Sequence, residues 1–433
     1  MTEIETLLFN QNPQWTDIKW LPEENSWFRR DAMRNIQKWI KKRFAITITG
    51  MRRTGKSTIL KQLISDLIKR DLRNNVFYFS FEKLSVKPEP LLILKLINFY
   101  LDSILRKKSY EIKEKVYFFL DEIQNIPFWQ NSVKSLYDLN SNFKFIISGS
   151  NSLFIKKRSE ESLAGRMIEV KINPLSFSEF LRMKNENLFH KIHNETWVAA
   201  NMGIINSLFE EYLKKGQFPE IIKEKLSAED AEKYLLSIED KIIRQDLVKV
   251  FPVNYPEILA MIFEIIKRGV GQRIEYQKIA LEAGIDQRTI MKYFEFLQYG
   301  FLINLCYNWG AKKPIRPLRR IKKGYLTSTN FSKNADTSLL VENYVYNYLS
   351  SQYEDVYFQK DPEIDFLINT DNNEICLLEI KYQNQIRKED CKNILSFKSK
   401  KTINKFLITK TDLAKKDEVC YLPASLIEFH LDD

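Results

Sequence analysis

The stretch that most constrains this chain is Phe44–Thr49 (FAITIT) running directly into Gly50-Met51-Arg52-Arg53-Thr54-Gly55-Lys56-Ser57-Thr58. A β-branched run stops at a glycine, and a second glycine follows five residues on. Then comes TILKQLISDLIKR, apolar at helical spacing. Strand, G-x-x-x-x-G-K-S loop and helix together are the setting in which this motif carries a mechanism. Gly50 and Gly55 let backbone N–H groups turn inward around phosphates, with Met51, Arg52, Arg53 and Thr54 forming the loop between them. Lys56 places a point charge on the β- and γ-phosphates. The Ser57 hydroxyl is a ligand for Mg²⁺, with Thr58 beside it, and the positive end of the helix faces the same anion. The expected cofactors are therefore ATP and Mg²⁺. Glycine is scarce, 12 in 433 residues, and four of the twelve (Gly50, Gly55, Gly149, Gly165) fall in this motif and the ones that follow.

Four more short apolar runs read as strands: Val76–Phe81, Val116–Leu120, Phe143–Ile147 and Met167–Ile172. The second ends in Asp121-Glu122, about 65 residues after Lys56. Five apolar residues followed by two acids is how a buried parallel strand ends at a metal site. Asp121 is expected to hold Mg²⁺ through water, and Glu122 to polarise the attacking water. Phe143–Ile147 runs into Ser148-Gly149-Ser150-Asn151, where Ser150 and Asn151 are the candidates for sensing the γ-phosphate; simple turn chemistry is the plainer alternative. Arg166 stands just before the fifth strand, where an arginine finger reaches a neighbouring subunit's nucleotide. It is read as such a finger, which implies a homo-oligomer, or as a sensor within its own chain, or as a residue packing on its own domain.

Composition sets the outer limits. Hydrophobic residues are 44% and charged residues 28%, the balance of a globular chain of several domains rather than a disordered or disulfide-built one. The net charge of +11 permits an anionic partner without demanding one. Four scattered cysteines with no CxxC pair fit a reduced, cytoplasmic setting. His190 and His193 are close in sequence, but no third ligand accompanies them, and they read as surface residues. The acidic N-terminal stretch lacks the apolar core of a secretory signal. No apolar run reaches the ~18 residues a membrane span requires.

Residues 180–250 carry helical spacing. After Pro256 come EILAMIFEIIKR, EYQKIALEAG and IMKYFEFLQYGF, with Gly284 at a corner and Asp286 as an N-cap. This reads as a helix-turn-helix with Arg288, Thr289 and Lys292 on its outer side, followed by a wing at FLINLCYNW. The loop beyond is basic, with Lys312, Lys313, Arg316, Arg319, Arg320, Lys322 and Lys323 as candidate phosphate contacts to DNA. In the last hundred residues, a helix at Leu339–Leu349 places Glu342 near its start. Strands carry Asp365, and then Glu379 and Lys381 on one face. Asp365 and Glu379 are the candidate divalent-metal ligands, Lys381 the group that orients or deprotonates water, and Glu342 a further ligand.

GMRRTGKST, FFLDEIQNIPFWQ, FIISGSNS, LAGRMIEVKINPLSFSEFL and YLKKGQFPE together resemble the prokaryotic AAA-type ATPases that carry a C-terminal domain related to PD-(D/E)XK nucleases. The resemblance spans roughly residues 28 to 420. It implies ATP binding, a helical and winged-helix middle part and a nuclease-like end. One departure stands out. The aspartate–glycine pair usual before the C-terminal domain is replaced by Tyr325-Leu326-Thr327-Ser328-Thr329-Asn330. The expected fold is thus α/β: a P-loop NTPase with a parallel sheet and flanking helices, a helical and winged-helix region, and a restriction-endonuclease-like α/β domain. The expected boundaries are an N-terminal extension 1–27, an ATPase domain 28–180, a helical region 181–255, a winged-helix-like region 256–330 and a nuclease-like domain 331–433. The expected function is Mg-dependent ATP binding and hydrolysis coupled to DNA processing or binding. The alternative is an ATP-switched regulatory or assembly protein whose C-terminal domain is catalytically inactive and binds DNA or protein.

Overall fold

The computed structural model describes residues 3–82, 88–149, 163, 165–310, 321–332, 335–370, 374–399, 401 and 403–431. The chain divides into two compact units, Met1–Asn173 and Pro174–Asp433. Among the described residues, no helix is long and apolar enough to cross a membrane.

In the first unit, β1 (Ala45–Thr49), β2 (Val76–Ser80), β3 (Val116–Asp121), β4 (Phe143–Gly149) and β5 (Met167–Lys171) form one parallel sheet in the order β2-β3-β4-β1-β5. Both faces are covered, which is why β3 reads as an unbroken apolar run up to Asp121. On one face Ile46, Ile48, Phe119 and Ile146 pack with Ile59 and Leu63 of the helix Lys56–Ile68. On the other, Phe77, Phe118 and Phe145 pack with Leu92 of the helix Leu92–Tyr100 and Trp129 and Val133 of the helix Trp129–Leu139. Each such buried side chain stabilises the fold by roughly 1.5–3 kcal/mol. The chain passes to one side of β1 for β2, β3 and β4, then crosses it to lay down β5. That order reversal opens a crevice at the C-terminal end of β1.

The segment expected as an extension is part of this unit. Side chains from residues 11 to 15 finish the exposed edge of β2. Asn12 donates to Tyr78 O (2.7 Å) and accepts from Tyr78 N–H (2.8 Å); Gln11 accepts from Ser80 N–H (2.7 Å); Trp15 donates to Val76 O (2.9 Å). A row of unpaired strand groups is thereby closed without a sixth strand.

The second unit opens with helices that include Phe177–Lys184, Glu195–Lys215 and Ala228–Asp240. The helices Pro256–Arg268, Tyr276–Ala283 and Gln287–Tyr299 follow. Gly284 takes a left-handed φ of 66° to end the second of these, and the Asp286 carboxylate caps the third by accepting from Arg288 N–H at 2.7 Å. β6 (Ile303–Asn308) and β7 (Lys322–Leu326) then pair antiparallel. They are not a separate wing. β6 also pairs in parallel with β8 (Val356–Lys360), so the hairpin belongs to an eight-stranded sheet. β9 (Glu363–Asn369), β10 (Ile375–Lys381), β11 (Ile403–Thr409), β12 (Ala414–Lys416) and β13 (Val419–Pro423) complete it, in the order β12-β13-β11-β10-β9-β8-β6-β7. The sheet therefore runs across the boundary expected at residue 330. Asn330, standing where the aspartate–glycine pair was expected, accepts from Gln217 N–H (2.8 Å) and donates to Tyr212 O and Leu213 O (3.0 and 2.9 Å). It ties the turn to the end of the helix Glu195–Lys215.

Candidate nucleotide site and C-terminal carboxylate cluster

Because the strands of the first unit are parallel, Gly50 after β1 and Asp121 at the end of β3 leave the same edge of the sheet. They are separated by β4, two inter-strand spacings or about 10 Å. Gly50 has φ +146°, and a Cβ there would lie 2.3 Å from Ile172 O, so only glycine fits. Gly55 has φ +96° with nothing within 4 Å of a Cβ position, leaving the mouth of the helix Lys56–Ile68 open. Between them Arg53 also takes positive φ (65°), and the buried Thr54 hydroxyl donates to Met51 O at 2.9 Å. Arg52 pairs with Glu82 at 3.6 Å. Lys56 Nζ donates to Gly50 O (3.0 Å) and Met51 O (2.8 Å), so the loop's own carbonyls hold the ammonium over its concave side. Ser57 is exposed in the first helical turn and Thr58 half-buried beside it. An open helix mouth, a crowded first glycine, an ammonium on the loop axis and an exposed hydroxyl fit a triphosphate with its magnesium ion.

The acid pair closes the same edge. Asp121 accepts from Tyr78 OH (3.2 Å) and from the Ser148 hydroxyl on β4. Ser148 Oγ also accepts from Glu122 N–H at 3.3 Å. Glu122 sits at φ +52°, a strained non-glycine conformation that the Ser148 contact helps to hold, and its carboxylate accepts from Gln124. Burial, then Asp121, push the Tyr78 phenol well above its ordinary range, so it remains a donor.

Ser148 was missed in the sequence, which pointed instead to Ser150 and Asn151; both lie outside the described residues. The signal available was a serine closing the apolar run Phe145–Ile147, in register with Ile48. Arg30 was missed too. Its buried guanidinium donates to Thr54 O (2.6 Å) and Asn173 O (2.9 Å), fixing the phosphate loop to the chain beyond β5.

Arg166 is not brought to the phosphate loop of its own chain. Its carbonyl accepts from Ala45 N–H at the start of β1, at the opposite edge of the sheet from Gly50. The length of β1, about 16 Å, separates the two edges. This removes the reading of Arg166 as a sensor within its own chain. The guanidinium is partly exposed and pairs with Asp138 at 3.4 Å.

In the second unit, Glu342, Asp365, Glu379 and Lys381 do converge, but with a fifth member. Glu342 lies in the helix Thr337–Gln352, Asp365 in β9, and Glu379 and Lys381 in β10. Lys323 from β7 places Nζ 3.2 Å from Glu342 Oε1 and 3.9 Å from Asp365 Oδ1. Tyr325 OH donates to the same Glu342 oxygen at 2.6 Å. Asp365 Oδ2 accepts from Ile380 N–H (2.8 Å), and Lys381 Nζ donates to Glu379 Oε1 (2.7 Å). Burial, with Glu342 and Glu379 nearby, pushes the Asp365 carboxyl up to about 8. Burial likewise raises Glu379 despite Lys381. Burial opposes the Lys323 charge, but Glu342 and Asp365 more than offset it, and Lys323 is held above the ordinary lysine range. Among the described residues, no three His, Cys, Asp or Glu side chains are arranged to hold a metal ion.

The basic loop is corrected as well. Lys312, Lys313, Arg316, Arg319 and Arg320 lie outside the described residues, while Lys322 and Lys323 are buried in β7 and unavailable to DNA. Lys322 lies over the rings of Tyr276 and Tyr307 (4.6 and 5.6 Å to their centroids). Arg288 and Lys292 are exposed on the helix Gln287–Tyr299, with Thr289 half-buried. His190 and His193 are exposed, and His193 packs edge-on to Phe429.

Residues 42–181 match the family model described as an AAA domain. Residues 206–332 and 338–427 match two domains of unknown function, DUF8612 and DUF4143. An uncharacterized protein of Haemophilus influenzae is 27% identical over 380 residues, covering 84% of this chain and 89% of that one. The uncharacterized protein MJ1544 of Methanocaldococcus jannaschii is 31% identical over 362 residues, covering 79% of this chain and 76% of that one. A solved structure, the Walker-type ATPase paby2304 of Pyrococcus abyssi, aligns with a TM-score of 0.46 at 14% identity, covering 75% of this chain and 99% of that one. The chain belongs to the family of MJ1544, and its residues 42–181 are an AAA-type P-loop domain.

Proposed function

We propose that this protein is a magnesium-dependent ATPase that acts as a switch for the second unit of its own chain. The observation that carries the reading is the shared edge: Gly50–Ser57 and Asp121–Glu122 leave the same end of one parallel sheet, and Ser148 on the strand between them holds both acids. In use, backbone N–H groups of the loop and the Lys56 ammonium would hold the β- and γ-phosphates. Ser57 and Asp121 are the residues that would hold Mg²⁺, which neutralises charge on the phosphates when bound. Glu122, kept in its strained conformation, would orient and polarise the attacking water. Arg166, directed away from its own nucleotide, is read as a finger for a neighbouring subunit. Glu122→Gln should bind ATP normally and retain it unhydrolysed. Turnover equal to wild type would remove Glu122 from the mechanism.

For the second unit, one observation favours the reading in which the nuclease-like region binds DNA or protein without cutting it: its buried carboxylates are already paired with Lys323 and Lys381. Supercoiled plasmid incubated with the protein and Mg²⁺ or Mn²⁺ should stay intact. Nicking that disappears in Lys381→Ala would restore the nuclease reading.

A further inference from the structure

The C-terminal cluster gathers its acids from three places in the fold, and the charge that joins two of them comes from a strand far from them in sequence. Lys323 reaches from β7 to lie 3.2 Å from Glu342 and 3.9 Å from Asp365. Only 9% of its side chain is exposed, and Nζ also stands 5.5 Å from the centroid of the Phe358 ring. A lysine with that little exposure is fixed in the interior and does not sample solvent.

One oxygen of each carboxylate around it is engaged. Glu342 Oε1 takes both Lys323 and Tyr325 OH. The backbone closes over Glu342 at Gly271, which has φ +75° and where a Cβ would lie 2.9 Å from Oε1 and 3.2 Å from Oε2. Asp365 Oδ2 takes the Ile380 N–H, and Glu379 Oε1 takes Lys381. Glu379 Oε2 is buried without a hydrogen-bond partner. A hard divalent cation needs about six oxygen ligands, several of them charged or water. A cation drawn to Asp365 would stand beside an ammonium already held 3.2 Å from Glu342 and 3.9 Å from Asp365, and the two positive charges would repel.

We propose that Lys323 is a built-in counter-ion standing where a nuclease-like site would carry a divalent cation, and that it keeps such cations out. The inference rests on the reading of the second unit as a module that does not cut. The two can fail separately, since that reading is tested by plasmid nicking and this one by metal binding.

The test is Mn²⁺ binding to the nucleotide-free full chain, read from the loss of the free-ion paramagnetic resonance signal. Wild type and Asp365→Asn should bind equally, because Asp365 holds no ion. Lys323→Met should gain one Mn²⁺ per chain, and Lys323→Met/Asp365→Asn should lose it again. A wild-type Mn²⁺ site that Asp365→Asn abolishes would overturn the proposal, as would a folded Lys323→Met chain that gains none. Should Lys323→Met fail to fold, wild type against Asp365→Asn decides alone: equal binding supports the proposal and a difference overturns it.

Discussion

Replacing Ser148 with alanine removes one buried hydroxyl that serves both halves of the acid pair. It donates to Asp121 and accepts from Glu122 N–H. Both acids are buried, with 2% and 8% exposure, so neither regains a partner simply by facing water. A buried polar group left without its partner costs about 1–3 kcal/mol. Asp121 keeps Tyr78, so a net loss of about 1–3 kcal/mol is expected for the first unit. At about 2–4 °C per kcal/mol for a unit of this size, its melting point should fall by roughly 2–12 °C. Turnover should fall further than stability alone explains, because Glu122 would leave its strained position. A loss of about 1.4–2.8 kcal/mol in the transition state is about 10- to 100-fold in kcat. The phosphate loop keeps its own contacts through Arg30, Thr54 and Lys56, so ATP affinity should stay within a few-fold of wild type. Phosphate release, fluorescent-nucleotide binding and a thermal melt, run on Ser148→Ala and Ser148→Thr, measure all three. If Ser148→Ala melts lower but turns over at the wild-type rate, the hydroxyl is structural only and the argument for Glu122 positioning fails.

Two further outcomes follow from the geometry. Mixing Arg166→Ala chains with Glu122→Gln chains, each slow alone, should restore turnover, because an Arg166 from one chain would serve the intact Glu122 pocket of its neighbour; no recovery above the two separate activities would remove the finger assignment. Asp365 has a folded-state pKa pushed up to about 8 from an ordinary value near 4. The folded chain therefore binds the proton more tightly than the unfolded one. Its contribution is complete below pH ~4 and is lost as pH rises through about 8, at up to about 1.4 kcal/mol per pH unit. Denaturant unfolding of wild type between pH 5 and 9 should show that decline, and Asp365→Asn should flatten it. An unchanged slope in the variant would assign the pH dependence elsewhere.

The nucleotide site was largely legible because its physics is local. A β-branched run, two glycines at fixed spacing and an amphipathic helix are contiguous, and all five strands of the first sheet begin within a residue of the runs that predict them. What stayed hidden depends on strand order, which neighbouring residues do not encode. Arg166 could be read as a sensor in its own chain until the parallel pairing of β5 with β1 put it at the far edge. Ser148 was passed over because its partners, Asp121 and Glu122, come from another strand. Gln11, Asn12 and Trp15 gave no signal of finishing the β2 edge. Lys322 and Lys323 were taken for loop residues because they end a run of positive charge; the pleat of β7 buries both. Glu342, Asp365, Glu379 and Lys381 were picked out by their order along the expected helix and strands, yet the sequence did not show that Lys323 joins the group. The wing was visible as a strand, but its pairing with β8 was not.

The central claim is that the loop around Lys56 holds a magnesium-bound nucleoside triphosphate, and equilibrium binding of labelled ATP tests it most directly. Wild-type chain with Mg²⁺ should saturate at one ATP per chain, while Lys56→Ala, folded by its melt, should bind at least about tenfold more weakly, a difference of about 1.4 kcal/mol. Equal affinity in the two proteins, or no binding by wild type, would contradict the account.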